Sequence, residues 1–400
     1  MKLIRTSLLN GIAVFIKLLT LLGINKLLAI YVGPTGYAAL GQFQNTIAMI
    51  TTFASGAINT GVTKYTAEYY DEPLKQRAVW RTASTIALIG SLLSSILIAA
   101  YRKPMALFFL QNEDYSNVFL WFSGMLTFFV FNTLLLAILN GKKEIGRYVI
   151  ANIVGSLLAL CISAILVIRF ALYGALIGLV VYQSISFFVT FFLCYKAPWF
   201  KINYLFGKME PVVVKQLFKY AVMAIVSAIS VNCSQILVRN YIGQKLGWDA
   251  AGYTEALWRL SSAYLMLVTS TLTVYYLPKL SALKNAVEIK AEIVGIYKVV
   301  LPFSILLSFL IYLFRNFLVF FLFDQKFLMI EELFAWQLVV DILKISSWLL
   351  GYLYVAKGFF RLYVFSEIVF SITFVMLVVL LESHYHLKAV TLAYALTYCI

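Results

Sequence analysis

The sequence has little charge. Asp, Glu, Lys and Arg make up 12% of its 400 residues, about half of the share that soluble domains carry. Hydrophobic residues make up 62%, and the mean hydropathy is +0.91. The hydrophobic runs are long and do not alternate with polar residues, which excludes a β-barrel, whose strands alternate over about 10 residues. The composition therefore predicts an all-α polytopic membrane protein.

Residues suited to metal binding and catalysis are scarce. The four cysteines lie in or beside hydrophobic runs and form no C-x-x-C motif, and the two histidines share one loop, at 384 and 386. These patterns indicate neither a disulfide framework nor a metal site. The turn GPTG at 33–36 is not followed by the Gly-Lys-Ser/Thr of a phosphate-binding loop, and no Ser-His-Asp motif is present. The sequence therefore predicts no enzyme and no cofactor.

Eleven hydrophobic runs are long enough to cross a hydrocarbon core of about 30 Å. The predicted spans cover residues 8–31, 37–62, 83–101, 118–140, 148–168, 171–195, 214–243, 252–278, 295–323, 332–357 and 362–381. A twelfth begins near Leu387 and is too short to cross, so we expect the native protein to complete it. The short basic start, Lys2 and Arg5, has no cleavage pattern after it, which predicts a retained first helix and not a signal peptide.

Most basic residues lie at the N-terminus and in the loops that follow even-numbered spans. By the positive-inside rule, this distribution predicts a cytoplasmic N-terminus. The net charge of +15 is spread over these loops and forms no single patch, so we expect no nucleic-acid partner. The loops on the other side are short, which argues against a membrane-embedded glycan polymerase or ligase with an exported catalytic loop.

The chain repeats itself weakly. The residues YVG at 31–33, followed by GY at 36–37, recur as YIG at 241–243, followed by GY at 252–253. Six spans separate the copies, so the two halves share one orientation and are related by an axis along the membrane normal, although matches this short can also arise by chance. The predicted domains are an N-terminal six-helix bundle at 1–195, a basic cytoplasmic linker at 196–219, and a C-terminal bundle at 220–400.

The first span carries two lysines, Lys17 and Lys26, inside its apolar run. A charge within the hydrocarbon core costs several kcal/mol unless another group receives it. Lys26 is close enough to Tyr31 for its stem to snorkel to the interface, whereas Lys17 is farther from either end. The two lysines either line an internal polar cavity or combine snorkelling with a helix–helix hydrogen bond.

Polar and aromatic residues recur on one face of span ten: Gln337, Asp341, Lys344, Trp348 and Tyr352. Lys344 lies roughly 18 Å from each end at helical rise, so its ammonium group does not fully reach either surface. Asp341, three residues earlier, can neutralise it. This face either lines a hydrated pathway or holds an ion pair that locks span ten to a neighbour.

Span two carries an uncharged stripe, formed by Gln42, Asn45, Thr52, Asn59 and Thr63 on one helical face. Such side chains can hydrogen-bond the hydroxyl groups of sugars. They are equally common where membrane helices pack against each other. The spacing favours neither interpretation.

Basic residues outnumber acids within the spans. Glu255 and Arg259 on span eight form a favourable i,i+4 pair, and Arg239 on span seven is close enough to Gly243 to snorkel. The basic residues within spans are Lys17, Lys26, Arg239, Arg259 and Lys344, against the acids Asp341 and Glu255. A net cationic interior suits an anionic ligand, and phosphate is the common case.

Motifs along the whole chain resemble those of one known family. Besides Lys17, they are Lys26 with the following LLA, GPTG at 33–36, NTGVTKY at 59–65, YLPKLS at 276–281 and, most specifically, FAWQLVVDILK at 334–344 with GYLYVAK at 351–357. In these motifs the chain resembles the Wzx-type flippases of the multidrug/oligosaccharidyl-lipid/polysaccharide exporter superfamily. It is nearest the branch that handles O-antigen and enterobacterial common antigen precursors.

The resemblance implies about twelve helices in two six-helix bundles, related by a pseudo-twofold axis along the membrane normal, around a central cavity. It implies that undecaprenyl-diphosphate-linked oligosaccharide moves from the cytoplasmic to the periplasmic leaflet of the bacterial inner membrane by alternating access. Membrane lipid, a polysaccharide polymerase and a chain-length regulator are the further expected partners. The incomplete twelfth helix departs from this pattern.

The predicted cavity residues divide into two groups. Those expected to bind the diphosphate are Lys17, Lys26, Arg239, Arg259 and Lys344. Those expected to contact sugars or to serve coupling are Asp341, Glu255, Gln337, Gln42, Asn45, Thr52 and Asn59. The alternative function is a cation-coupled drug or metabolite antiporter of the same superfamily, which is expected to centre on an acid that exchanges a cation for the drug.

Overall fold

A computed structural model describes the backbone of residues 2–399 and their side chains, except those of residues 2–10, 219, 271, 274, 277, 278 and 282. The side chains of Lys2, Arg5 and Lys219, which the orientation prediction uses, therefore lie outside the described residues. The described helices are α1 (Lys2–Tyr31), α2 (Gly33–Ala54), α3 (Asn59–Glu68), α4 (Pro73–Ala100), α5 (Arg102–Leu110), α6 (Ser116–Gly141), α7 (Ile145–Tyr195), α8 (Pro211–Leu246), α9 (Trp248–Thr271), α10 (Leu277–Ala282), α11 (Ala286–Leu313), α12 (Arg315–Leu322), α13 (Phe334–Lys357), α14 (Phe360–Tyr385) and α15 (Lys388–Cys399).

The predicted fold class is confirmed. The described residues contain no β-strand, and eight helical segments among them are long and apolar enough to cross a membrane. One of these segments, α7, has 51 residues and holds the predicted spans five and six. Its two parts meet at Ala171, whose φ is 45° and ψ −125°. A methyl group at Gly174 would overlap Leu166 O, so the chain turns back on itself at this point with almost no loop.

Span two is interrupted, which corrects the continuous helix predicted over 37–62. Helix α2 ends at Ala54, and α3 begins at Asn59. Between them, Gly56 and Ala57 adopt φ values of 62° and 54°, in the left-handed region that ends a helix. Asn59 and Thr63 therefore do not continue the face of α2, and the predicted single stripe is broken.

Spans eight and nine are also divided. After α9, the chain winds a π-helical turn over Leu272–Tyr276 before α10 begins. The predicted span 295–323 consists of α11 and the short α12, separated at Phe314. Local backbone changes of this kind leave the hydrophobic run uninterrupted, so hydropathy alone does not mark them.

The chain forms two compact units. The first comprises Met1–Thr20 and Gln42–Asn232, and the second comprises Leu21–Gly41 and Cys233–Ile400. The end of α1 and the start of α2 thus belong to the same unit as the last 168 residues. The division predicted at 1–195, 196–219 and 220–400 stays a prediction about the two bundles.

In the first unit, α6 packs along α4 and α7 and also contacts α3. Aromatic rings fill the space around it: Phe43 meets Phe119 and Phe122 edge-on, with centroids 5.4 and 6.1 Å apart. The buried Trp80 donates from Nε1 to Thr66 Oγ1 at 3.0 Å. Edge-to-face packing with a satisfied indole N–H is the arrangement that a buried aromatic interior favours.

In the second unit, α13 is the central helix, because it contacts α9, α11, α14 and α15. One apolar cluster on α13 includes Val340 with Trp258 and Tyr394. A second cluster, nearer the end of the helix, includes Leu349 with Tyr276. Gln337 and Asp341 are buried on the same helix, so these two polar side chains face protein.

Candidate functional site

Three charged side chains meet in the second unit. Glu255 on α9 accepts a hydrogen bond from Arg239 Nη2 on α8 at 2.6 Å and another from Arg259 Nε on α9 at 2.8 Å. The side chains of Arg239, Glu255 and Arg259 are only 2%, 8% and 10% exposed. We call these three residues the charge cluster. Two guanidinium groups and one carboxylate give it a net charge of +1.

The first hairpin of the chain closes over this cluster. A methyl group at Gly41 would overlap the carboxylate of Glu255 and lie 2.8 Å from Arg239 Cζ, so the backbone of α2 passes directly over both. The ring of Tyr37 lies 5.6 Å from Arg259 Cζ, within the range of a cation–π contact. Tyr37 is fully buried, and its hydroxyl donates to Asn25 O at 2.6 Å. Residues 25–41 thus help to hold Arg259 in place.

The cluster confirms one sequence prediction and corrects another. The i,i+4 pair of Glu255 and Arg259 is present. Arg239 does not snorkel to the interface, because Glu255 receives its guanidinium group inside the protein and the residue is 3% exposed. A buried charge is held inside when a partner and hydrogen bonds replace its water, and the carboxylate supplies both.

Asp341 lies in the first half of α13 and is 1% exposed. It accepts hydrogen bonds from Ser261 Oγ at 2.5 Å, from Gln337 Nε2 at 3.0 Å and from the hydroxyl of Tyr264. Two of these donors come from α9, the helix that also carries Glu255. The carboxylate thereby links α13 to the helix that holds the charge cluster.

Lys344 takes a different partner from the one the sequence predicts. Among the described residues, no carboxylate oxygen lies within 4.0 Å of its ammonium group, so the expected ion pair with Asp341 is not formed. Its Nζ lies over the rings of Trp348 and Tyr394, 5.1 and 5.5 Å from the centroids. Three neutral donors supply the hydrogen bonds of Asp341 instead, so its carboxylate is held in place without the ammonium group.

The two lysines of α1 occupy different surroundings. Lys26 Nζ donates to Phe320 O at 3.1 Å and to Phe323 O at 2.6 Å, so it caps the C-terminal end of α12, where a positive charge is favourable. Lys17 belongs to the first unit and is exposed. Of the five predicted basic residues, the structure brings Arg239 and Arg259 into direct contact with one carboxylate.

The polar stripe of span two lies in the first unit. Gln42 and Asn45 are buried, and Asn45 Nδ2 has no hydrogen-bond partner among the described atoms. Thr52 donates to Ala48 O of its own helix at 2.7 Å. Asn59, on α3, donates to Thr133 Oγ1 on α6 at 3.3 Å. The last of these hydrogen bonds joins α3 to α6, and contact of the stripe residues with sugars stays a prediction.

Comparison with known proteins identifies the family. The model of a family described as "Polysaccharide biosynthesis protein" matches residues 3–284. The chain belongs to this family. The chain is also 30% identical over 401 residues to the "Lipid III flippase" of Escherichia coli (strain K12) and to that of Shigella flexneri, covering all of this chain and 96% of each relative. The family resemblance seen in the motifs is thereby confirmed.

A solved structure shows the same fold. The "Inward-facing conformation of a multidrug resistance MATE family transporter of the MOP superfamily" superimposes with a TM-score of 0.80 at 14% identity, covering 96% of this chain and 92% of the transporter. At this identity the likeness concerns the fold alone. It supports the predicted arrangement of about twelve helices.

Sequence reasoning missed three contributors to the site. Tyr264 lies three residues after Ser261 on the same face of α9, so helical spacing alone could have paired both with one acceptor. Tyr37 and Gly41 gave no such signal, because their role depends on how α2 packs against α9. Within the described part of the chain, no group of three His, Cys, Asp or Glu side chains could hold a metal ion.

Proposed function

We propose that this protein is a flippase for a lipid-linked oligosaccharide. It is a transporter and not an enzyme, and it moves an undecaprenyl-diphosphate-linked repeat unit of O-antigen or enterobacterial common antigen type from the cytoplasmic to the periplasmic leaflet. The full-length identity to two relatives named Lipid III flippase supports this substrate class. The proposed location is the bacterial inner membrane, with a cytoplasmic N-terminus.

The observation that carries the proposal is the charge cluster. Arg239 and Arg259 both bind the carboxylate of Glu255, so two guanidinium groups meet at one acid in a buried region of a membrane protein. Guanidinium groups bind phosphate oxygens through charge-assisted, often bidentate hydrogen bonds. A diphosphate that approaches Arg259, the more exposed of the two arginines, would meet a guanidinium group that Glu255 already holds in place.

The remaining predicted residues have subsidiary roles in the proposal. Lys344 and Lys17 add positive charge along the route, and Lys26 does so while capping α12. Gln337 and the stripe residues Gln42, Asn45 and Thr52 offer hydrogen bonds to sugar hydroxyls. Alternating access between the two bundles and handover to a polysaccharide polymerase and a chain-length regulator complete the proposed cycle.

A cation-coupled antiporter is the second candidate, and one observation favours it. Asp341 is a buried carboxylate surrounded by three neutral donors, without a basic group within 4.0 Å among the described residues. An acid in such a setting is suited to exchanging a proton or a metal cation. The same residue can also couple a flippase to a cation gradient. Identifying the transported substrate therefore distinguishes the two functions.

Deletion of the gene in its own bacterium tests the proposal. We expect a lipid-linked oligosaccharide to accumulate in a form that a membrane-impermeant glycosidase does not reach in intact spheroplasts. The native chain supplied on a plasmid should restore access, whereas Arg259→Gln at equal expression should not. Normal surface polysaccharide in the deletion strain, together with increased sensitivity to cationic dyes, would instead identify an antiporter.

A further inference from the structure

An open groove lies in the second unit where the loop after α10, the first turns of α11 and the end of α13 meet. Its volume is about 590 Å³. Its walls are apolar and include Ile289, Ile293, Val294 and Leu353. This volume is in the range of sites that hold ligands of several hundred daltons. The groove does not include any residue of the charge cluster.

Three lysines surround the groove: Lys284, Lys290 and Lys357. The first two are exposed. Lys357 is half-buried, and its Nζ donates to Leu280 O at 2.7 Å and also to Leu283 O. These carbonyls fix the charge of Lys357 at the end of α10. The lysines come from three segments of the chain, and the fold brings their positive charges together around the groove.

Few acids oppose these lysines. Glu292 on α11 already accepts from Lys279 Nζ at 2.7 Å, and this hydrogen bond raises the pKa of Lys279, so the pair stays charged and self-neutralised. Glu288, in the first turn of α11, is exposed. Among the described residues, no carboxylate lies within 4.0 Å of the lysines that surround the groove.

The apolar wall continues onto an exposed helix face. Val287 and Val294 lie seven residues apart on α11 and are 74% and 44% exposed, and Phe359 beside the groove is 46% exposed. A soluble anion gains nothing from such a wall, whereas an acyl chain does. The predicted orientation places this end of α11 at the cytoplasmic leaflet, where a negative surface potential attracts basic groups near the ends of spans.

We propose that this groove binds an anionic phospholipid of the surrounding leaflet. Its phosphate lies between Lys284, Lys290 and Lys357, and one acyl chain lies along Ile293 and Val294. The bound lipid joins the start of α11 to the end of α13 and so stabilises the second unit. This site is separate from the charge cluster and does not depend on the transported substrate.

Lipid titration of the purified full-length protein in detergent tests this site, with native mass spectrometry to count bound lipids. We expect one saturable site for dioleoyl phosphatidylglycerol and much weaker binding of dioleoyl phosphatidylcholine. The double variant Lys284→Gln/Lys290→Gln should lower phosphatidylglycerol affinity about 25-fold, from roughly a fivefold contribution of each lysine near the interface. Lys284→Arg/Lys290→Arg should keep the affinity, because it keeps the charge.

A matched control removes the same charge elsewhere. Lys201→Gln/Lys208→Gln changes two exposed lysines of the predicted linker and should bind phosphatidylglycerol as the native chain does. Equal losses in both glutamine variants would show diffuse surface attraction and overturn the proposal. Equal binding of both lipids, or displacement of phosphatidylglycerol by an equal concentration of inorganic phosphate, would also overturn it, the latter in favour of a soluble-anion site.

Discussion

At the residue scale, Glu255 has two partners and each arginine of the charge cluster shares that one acid. Losing the acid and losing one arginine therefore have different consequences. Without Glu255, two buried guanidinium groups face each other without the carboxylate. Without Arg259, a neutral pair of Arg239 and Glu255 remains.

We expect Glu255→Gln to reduce stability by about 3–5 kcal/mol, the usual cost of leaving a buried charge without its partner. Arg259→Gln should melt close to the native temperature and yet fail to transport. Thermal unfolding in detergent, followed by tryptophan fluorescence, measures the first effect, and the spheroplast assay measures the second. Glu72→Gln, which removes the acid of an exposed pair, is the control for stability. A stable Glu255→Gln protein would contradict this account of the cluster.

Gly41 offers a steric test of the same cluster. A methyl group there would overlap the carboxylate of Glu255, so Gly41→Ala should destabilise the protein by about 1–3 kcal/mol as the cluster shifts. At Gly124, a methyl group would meet nothing within 4 Å, and alanine is the better helix former, so Gly124→Ala should be neutral or slightly stabilising. The melting temperature of Gly41→Ala should therefore lie clearly below that of Gly124→Ala. Equal shifts would mean that α2 does not pass over Glu255.

Asp341 and Lys344 allow a double-mutant cycle. Because no hydrogen bond or ion pair joins their side chains, we expect the coupling energy between Lys344→Gln and Asp341→Asn to stay below about 1 kcal/mol, whereas breaking a direct buried ion pair costs about 3–5 kcal/mol. We expect the double variant to fold and not to transport, because Lys344 contributes charge to the ligand. A double variant that is more stable than Asp341→Asn alone, and that restores surface polysaccharide, would identify a structural ion pair.

At the element scale, the interruption after α2 sets the course of span two. Gly56 adopts a φ of 62°, and a methyl group there would lie 2.5 Å from Ile86 Cγ2. The next residue, Ala57, adopts a left-handed φ without being glycine. A left-handed conformation costs an L-residue about 1–2 kcal/mol.

This strain predicts opposite effects for neighbouring substitutions. Gly56→Ala should lower stability by at least about 1–2 kcal/mol, because it adds a strained residue and a contact with Ile86. Ala57→Gly should raise stability or leave it unchanged, because it removes the strain at the cost of greater freedom in the unfolded chain. Paired melting curves of the two variants provide the measurement. A stabilised Gly56→Ala protein would be inconsistent with an interrupted helix.

The sequence predicted where hydrophobic runs begin and end, because the length and polarity of a span follow directly from the thickness of the membrane. It did not predict the breaks at Gly56, at Leu272–Tyr276 or at Phe314, because these change the backbone and not the hydropathy. The pair Glu255 and Arg259 was predictable because both residues lie on one helix. Arg239, Tyr37 and the two donors that reach Asp341 from α9 depend on how neighbouring helices are aligned, which periodicity does not specify.

At the scale of the whole molecule, the distribution of basic residues predicts which loops face the cytoplasm. In a variant without the four native cysteines, we expect Asp114→Cys, in the loop before α6, to react with a membrane-impermeant maleimide in intact cells. Lys208→Cys, before α8, should react only after the cells are opened. Both positions are exposed, so access to the reagent is the variable that differs. The reverse pattern would place the N-terminus in the periplasm.

The second unit is built from an early and a late segment of the chain, and this affects the order in which the protein assembles. Its residues 21–41 leave the ribosome early, whereas its residues 233–400 are synthesised last. During synthesis, Tyr37 cannot contact Arg259 and Gly41 cannot pack on Glu255 until α8 and α9 are made, and Lys26 cannot cap α12 until that helix is made. Assembly of this unit is therefore completed late in synthesis. If the gene were split between the two predicted bundles, the C-terminal product would lack residues 21–41, the hairpin that completes its charge cluster.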